Sequence, residues 1–263
     1  MNRMVFAVFA AFMFLNASVA DAQMDRRRPV HSRPSGAEGL GVTFGYVNSS
    51  YRTTDWATDE VEKTPALNGF AVSMTKDFAL IRSALYIQSG LGYTYQTRSR
   101  DMGSESLAGA FGTKIISDRK EHFLSVPVRL KYTLPLLGRI GISVDAGPVL
   151  LVGLSSKMNF RTRFNDETSG TLSYNVYGAK FKSSGVAEGI DFESWAKDNA
   201  GLPYGKVRRF DVLLGASIGA DFFSLLEVRA GYDWGLVNKY KGDIASDKKM
   251  YRGQFTLSVG LRF

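Results

Sequence analysis

The chain has 263 residues, a net charge of +8, no cysteine and two histidines. That length suits one large domain or two small ones, and the missing cysteine excludes disulfide scaffolds, thiolate zinc sites and cysteine nucleophiles. His31 and His122 alone cannot build a multi-histidine metal centre, and the excess of 33 Lys and Arg over 25 Asp and Glu fits either nucleic acid or an anionic membrane surface as the partner.

Residues Met1 to Ala22 read as a secretory signal peptide. Arg3 gives the positive start, Met4 to Leu15 form an apolar run of twelve, and Ser18-Val19-Ala20 and Ala20-Asp21-Ala22 each fit the small-x-small cleavage pattern. At ~1.5 Å per residue such a run covers about 18 Å, short of a ~30 Å hydrocarbon core. Export takes nucleic acid out of consideration. Residues 23–38, with Arg26, Arg27, Arg28 and Arg33 among Pro29, Pro34 and Gly36, lack apolar periodicity and read as a basic tail.

From Gly39 to Phe263 the chain alternates apolar with small or polar residues. Leu40, Val42, Phe44 and Tyr46 share one face; so do Phe70, Val72, Met74 and Phe78, interrupted by Lys76. Leu85, Ile87, Leu91, Tyr93 and Tyr95 follow, interrupted by Ser89. Then come Leu124 to Leu134 and Ile140 to Ala146 at even positions. Phe210 to Phe222 and Leu226 to Leu236 also carry their apolar residues at even positions, and Phe255, Leu257, Val259, Leu261 and Phe263 close the chain. Eight strands are predicted. Pro127 and Pro148 lack the N–H a ladder needs and predict bulges, which would flip the faces beyond them and leaves Leu150, Val152 and Leu154 weakly assigned.

The gaps near 79–82, 135–138 and 223–224 are short, whereas those near 48–66, 97–120, 155–206 and 238–248 are long. Strict alternation of short and long connections is the form of an up-and-down antiparallel barrel in an outer membrane, with tight periplasmic turns and long outer loops. A soluble barrel alternates too, with its charges outside. Three features favour the membrane: aromatics at strand ends (Tyr46, Tyr93, Tyr95, Tyr232 and Trp234 on one side, Phe78, Phe222 and Phe263 on the other), a glycine-rich polar face, and a chain that stops on Phe263 within a strand. Eight strands are the first reading, and ten remain open if part of residues 155–206 enters the membrane.

The last strand, with Tyr251, Phe255, Leu257, Val259, Leu261 and Phe263 on one face, resembles the terminal insertion signal of Gram-negative outer-membrane proteins. The stretches Phe123-Leu124-Ser125-Val126-Pro127-Val128-Arg129-Leu130-Lys131-Tyr132, Asp145-Ala146-Gly147-Pro148-Val149 and Gly231-Tyr232-Asp233-Trp234-Gly235-Leu236-Val237-Asn238 resemble the PorT-like family of eight-stranded outer-membrane barrels. The resemblance implies the outer-membrane location, the barrel fold and the barrel-insertion machinery as a partner in biogenesis. It implies a part in secretion far less strongly, since the family is broad.

The polar faces place Arg129, Lys131, Arg229 and Arg262 in the lumen with Asp145, Asp211, Asp221, Glu227 and Asp233. An eight-stranded lumen is only wide enough for side chains, so these charges are expected to pair into a plug rather than conduct; an ion or proton relay is the sharper alternative. For catalysis, His122 is flanked by Glu121 and followed by Ser125, but an odd separation puts His122 and Ser125 on opposite faces of a strand. Asn165, Asp166 and Glu167 lack the spacing of a calcium loop. No enzyme activity, metal or cofactor is expected.

Within residues 155–206, Met158, Phe160, Arg161, Phe164, Leu172, Tyr174, Val176 and Phe181 predict a hairpin above the membrane turning near Asn165–Gly170. Asp191 is placed to cap a short helix through Phe192, Trp195 and Ala196 that ends near Gly201, and Phe192, Trp195 and Tyr204 could anchor a protein partner. Basic residues on the outer side, among them Arg119, Lys120, Arg161, Arg163, Arg208, Arg209, Lys249 and also Arg252, suit the phosphates of lipopolysaccharide and other outer-membrane lipids. The expected protein is thus a non-enzymatic barrel with a binding or structural role, an accessory secretion component being one such role. A small channel and, less readily, a lipid-modifying enzyme are the alternatives.

Overall fold

The computed structural model describes residues 39–55, 60–81, 84–101, 113–137, 140–164, 167–184, 206–223 and 225–263. The signal peptide, the basic tail, Asn165, Asp166 and the helix expected from Asp191 to Gly201, with Tyr204, lie outside these residues.

Among these residues eleven strands and one short helix form in chain order: β1 Leu40–Asp55, β2 Val61–Lys63, β3 Leu67–Ile81, β4 Leu85–Asp101, β5 Thr113–Leu137, β6 Ile140–Phe164, β7 Glu167–Asn175, β8 Lys180–Ser184, β9 Phe210–Phe222, β10 Leu226–Gly235, α1 Ile244–Asp247 and β11 Lys248–Arg262. Eight of them close a ring of antiparallel neighbours, β1-β3-β4-β5-β6-β9-β10-β11 and back to β1. The ring has eight strands, not ten: β7 and β8 pair onto the outer end of β6, and β2 pairs with β1.

The apolar face of every ring strand points out. Phe44, Leu130, Ile218 and Val259 are 58%, 51%, 58% and 47% exposed, which in water would be an unacceptable apolar surface and in lipid is the required one. Glycines on the inner face let strands and side chains approach. A Cβ added to Gly69 would stand 1.8 Å from the carbonyl oxygen of Tyr95 and 2.7 Å from the Cα of Gln96. Gly69→Ala is therefore expected to abolish the folded, heat-modifiable band on a gel, and normal migration of this variant would refute the close packing of β3 on β4.

Two expectations need correction. The prolines make no bulge. Pairing is interrupted near Pro127, but Ser89↔Val128 and Gly92↔Ser125 keep one register across it, as do Pro127↔Val149 and Leu130↔Ala146. A missing N–H deletes a ladder bond without adding a residue. The face flip lies at Leu154, the extra residue between His122↔Ser155 and Phe123↔Gly153, so Leu150 and Val152 face lipid, 38% and 39% exposed. Secondly, the strands outrun the membrane. β5 and β6 have 25 residues each, where about ten suffice to cross, so residues 97–101 and 113–120 of an expected loop are sheet, and the hairpin expected within residues 155–206 forms from β6 and β7.

Candidate functional site: a plugged lumen beneath an apolar cap

The polarity of the two sheet faces inverts at the outer interface. Along β5 the outward residues run Leu134, Tyr132, Leu130, Val128, Val126, Leu124 and then change to His122 and Lys120, while the inward ones run Lys131, Arg129, Ser125, Phe123 and end in Ile115. On β6 the single-residue bulge at Leu154 brings the even positions Met158 and Phe160 inward and leaves Lys157 outside. A lateral row Tyr46, Phe70, Tyr95 and His122, each paired with the next across the sheet, marks the boundary. Directly above it runs the polar row Asn48, Asn68, Thr97, Lys120, Lys157. Aromatic rings with water on one side and hydrocarbon on the other occupy the interfacial girdle of a bilayer. The chain is an outer-membrane β-barrel.

The described part of this barrel has known structures of similar fold. Ail, the attachment invasion locus protein of Yersinia pestis, is similar with a TM-score of 0.39 and 14% identity over 86% of this chain and 100% of Ail. Neisserial surface protein A gives 0.36 and 10% over 84% and 97%. The N-terminal β-barrel domain of Pseudomonas aeruginosa OprF gives 0.29 and 11% over 83% and 97%. No protein-family model and no curated protein matches the chain.

All nine residues assigned to the lumen from the sequence lie inside the ring, eight of them in two groups. Nearest the short turns, Lys131 Nζ stands 3.4 Å from both Asp77 and Glu227, and Arg262 reaches Asp77 at 2.7 Å, Glu227 at 2.9 Å and Asp221 at 3.9 Å. Arg229 pairs with Glu227, lies 3.2 Å from Asp145 and donates to Gln88, which in turn donates to Asp77 at 2.7 Å. Further out, Arg129 bridges Asp145 at 3.0 Å and Asp233 at 2.5 Å. Between these layers a cavity of about 110 Å³ remains, room for a few waters. Asp211 stands apart from the other eight and meets Lys239 at 3.3 Å.

A third layer was not foreseen. Arg252, completely buried, donates to the Tyr51 hydroxyl at 2.9 Å, to Gln96 at 2.5 Å and to Gln254 at 3.1 Å, and lies over the Phe123 ring at 4.0 Å. Glu121 accepts from Tyr51 at 2.8 Å, Ser156 at 3.0 Å and Arg119 at 2.7 Å. Burial alone would push the Glu121 carboxyl up, but the guanidiniums of Arg119 and Arg252 and the Tyr51 hydroxyl hold it down at about 2. Burial and the adjoining Glu121 charge push the Tyr51 hydroxyl far up, so it remains a neutral donor. Above this layer Tyr51, Leu67, Ile115, Met158, Phe160, Leu172, Tyr174, Val176, Val207, Tyr240 and Met250 form one apolar core. The hairpin of β6 and β7 supplies its centre, and the Tyr177 hydroxyl sits in the space a Cβ on Gly153 would fill.

The basic rim divides. Arg119 and Arg252 are corrected from lipid contacts to luminal residues: each occupies an inward position of a strand that continues past the membrane. Arg161, partly exposed, pairs with Asp118. Lys120, Arg208 and Arg209 are exposed, Arg208 donating to the Tyr240 carbonyl at 3.2 Å and Arg209 lying over Tyr177 at 5.3 Å. Lys249 is half-buried. Arg163 is on β6 with its side chain outside what the structure describes. The terminal apolar residues Phe255, Leu257, Val259, Leu261 and Phe263 face lipid, with Tyr251 half-buried above them. His122 also faces outward, its Nδ1 2.7 Å from the Tyr93 hydroxyl, whereas Glu121 and Ser125 are on the inner face.

Asp77, Glu121 and Lys239 complete the ion pairs and were missed. Asp77 could have been found, because it alternates with the outward pair Lys76 and Phe78, whose cation and ring lie 5.5 Å apart. Glu121 borders the stretch 97–120 that reads as loop, and Lys239 falls within 238–248, which reads as loop too.

Proposed function

We propose that this barrel is a non-enzymatic outer-membrane protein that acts through its outer surface, not through its lumen. The observation that carries the reading is the double closure, three layers of paired luminal charge beneath an apolar core. A pore needs neither, and both consume sequence. The sheet extension of β6, β7 and β8 offers a platform for a protein partner, and residues 185–205 follow directly from it in the sequence. The resemblance of the sequence stretches quoted above to the PorT-like family makes an accessory part in protein secretion one role that such a surface would serve. The exposed cations of the outer rim, Lys120, Arg208 and Arg209, suit lipopolysaccharide phosphates and orient the barrel in the outer leaflet.

Two measurements test this. Purified protein in a planar bilayer is expected to give no steady ohmic conductance, and a stable open level would replace the reading with a channel. A strain lacking the gene is expected to retain normally exported proteins in the periplasm. An unchanged surface and supernatant proteome would remove the secretion role and leave an envelope-binding barrel.

A further inference from the structure

On the wall formed by β10, β11, β1 and β2, a groove of about 720 Å³ opens outward at the interface. Its floor is glycine: a Cβ on Gly253 would meet the Tyr232 hydroxyl at 2.3 Å, and one on Gly235 the Arg252 backbone at 2.7 Å. Tyr232 and Trp234, with centroids 4.8 Å apart and planes at 56°, form an angled aromatic wall, and Trp234 is 50% exposed. At the upper edge Arg52 and Lys63 stand directly opposite each other across the β1–β2 pairing. Like charges facing across a sheet destabilise it, and neither has an ion pair or hydrogen bond among the described residues. Asp55 pairs with Lys248 at 2.9 Å, and Glu62 alternates to the opposite face of β2 beside Thr53. Below the groove the wall becomes purely apolar, with Phe255 and Leu257 in the lipid band.

We propose that this groove binds the headgroup of a phosphorylated glycolipid of the outer leaflet. Tilted aromatic faces pack against the apolar face of a sugar ring, Arg52 and Lys63 take a phosphate by charge-assisted hydrogen bonds, and acyl chains descend over Phe255 and Leu257. The assignment rests on the outer-membrane fold and is independent of whether the lumen conducts or the protein serves secretion.

The full-length protein in detergent, titrated with a phosphorylated glucosamine-disaccharide lipid, its dephosphorylated form and phosphatidylglycerol, tests this by native mass spectrometry. Wild-type protein is expected to retain the phosphorylated glycolipid about tenfold more tightly than either of the others. R52E with K63E should abolish that preference, and R52Q with K63Q should weaken it while lessening any cost to folding. W234A should weaken the glycolipid and leave phosphatidylglycerol unchanged. K180E with K182E, which alters the same number of exposed cations on β8, should keep the preference. Equal binding of phosphatidylglycerol by the wild type, an unchanged preference in the folded R52Q/K63Q variant, or an equal loss in K180E/K182E overturns the site in favour of general surface charge.

Discussion

Glu227→Ala is expected to destabilise the folded barrel by about 3–5 kcal/mol, because it leaves buried cations without their counter-charge. The Glu227 carboxylate is shared by Lys131 at 3.4 Å, Arg262 at 2.9 Å and Arg229. Its loss leaves Lys131, which has no exposed side-chain surface, with Asp77 alone at 3.4 Å. The effect should be read as a lower temperature for conversion of the compact band to the unfolded one on unboiled gels. Asp221→Ala is the internal comparison: its ion pair with Arg262 spans 3.9 Å, so it should cost clearly less. Pairing Glu227→Leu with Lys131→Met should recover much of the loss, because an apolar pair of similar volume removes the desolvation penalty along with the attraction. An E227A variant as stable as the wild type would mean that the luminal charges are independently solvated and not a plug.

The ring itself was legible in the sequence because a transmembrane strand states its faces twice, by apolar residues outward and by charges or glycines inward. Phe255 to Phe263 against Gln254 to Arg262 is the clearest case, and the outward exposure of Phe255, Leu257, Val259 and Leu261 follows from it. What could not be read is the region where this rule reverses. Beyond His122 the barrel leaves lipid, so Glu121 and Arg119 remain inward while the outward face becomes polar and the inner one ends in Ile115, Met158 and Phe160. A strand with charge on one side and apolar residues on the other looks the same in both regimes, and near the switch the two patterns cancel. The Leu154 bulge shifts the phase by one more residue. Arg252, polar and close to the expected loop, was assigned to the rim for that reason, although two-residue spacing from Gln254 places it inward. The prolines misled in the opposite sense: each removes a donor, but neither adds the extra residue that defines a bulge.

Arg252→Leu is expected to loosen the cap while leaving the membrane-embedded ring intact. This side chain ties the charged lumen to the apolar core: it contacts the Tyr51 hydroxyl, Gln96, Glu121 and the Phe123 face from a fully buried position. Leucine fills part of the volume and supplies none of the donors, so Gln96 and Glu121 lose buried partners, a change that typically costs about 3–5 kcal/mol when a charge is stranded. The loss should appear as faster hydrogen exchange in residues 47–55 and 156–176, with β9 and β10 protected as before. The pH response gives a second, independent readout. Because the folded Glu121 carboxyl is held at about 2, below its ordinary value of 4.5, its stabilisation is complete above about pH 4.5 and disappears as the pH falls towards 2. Burial opposes ionisation at this position, and without Arg252 only Arg119 and the Tyr51 and Ser156 hydrogen bonds remain to offset it. The acid midpoint for opening of the cap should therefore rise in Arg252→Leu, into the range of an ordinary carboxylate. If exchange in the cap accelerates at the same pH in variant and wild type, Arg252 is packing material, and Arg119 alone sets the ionisation of Glu121.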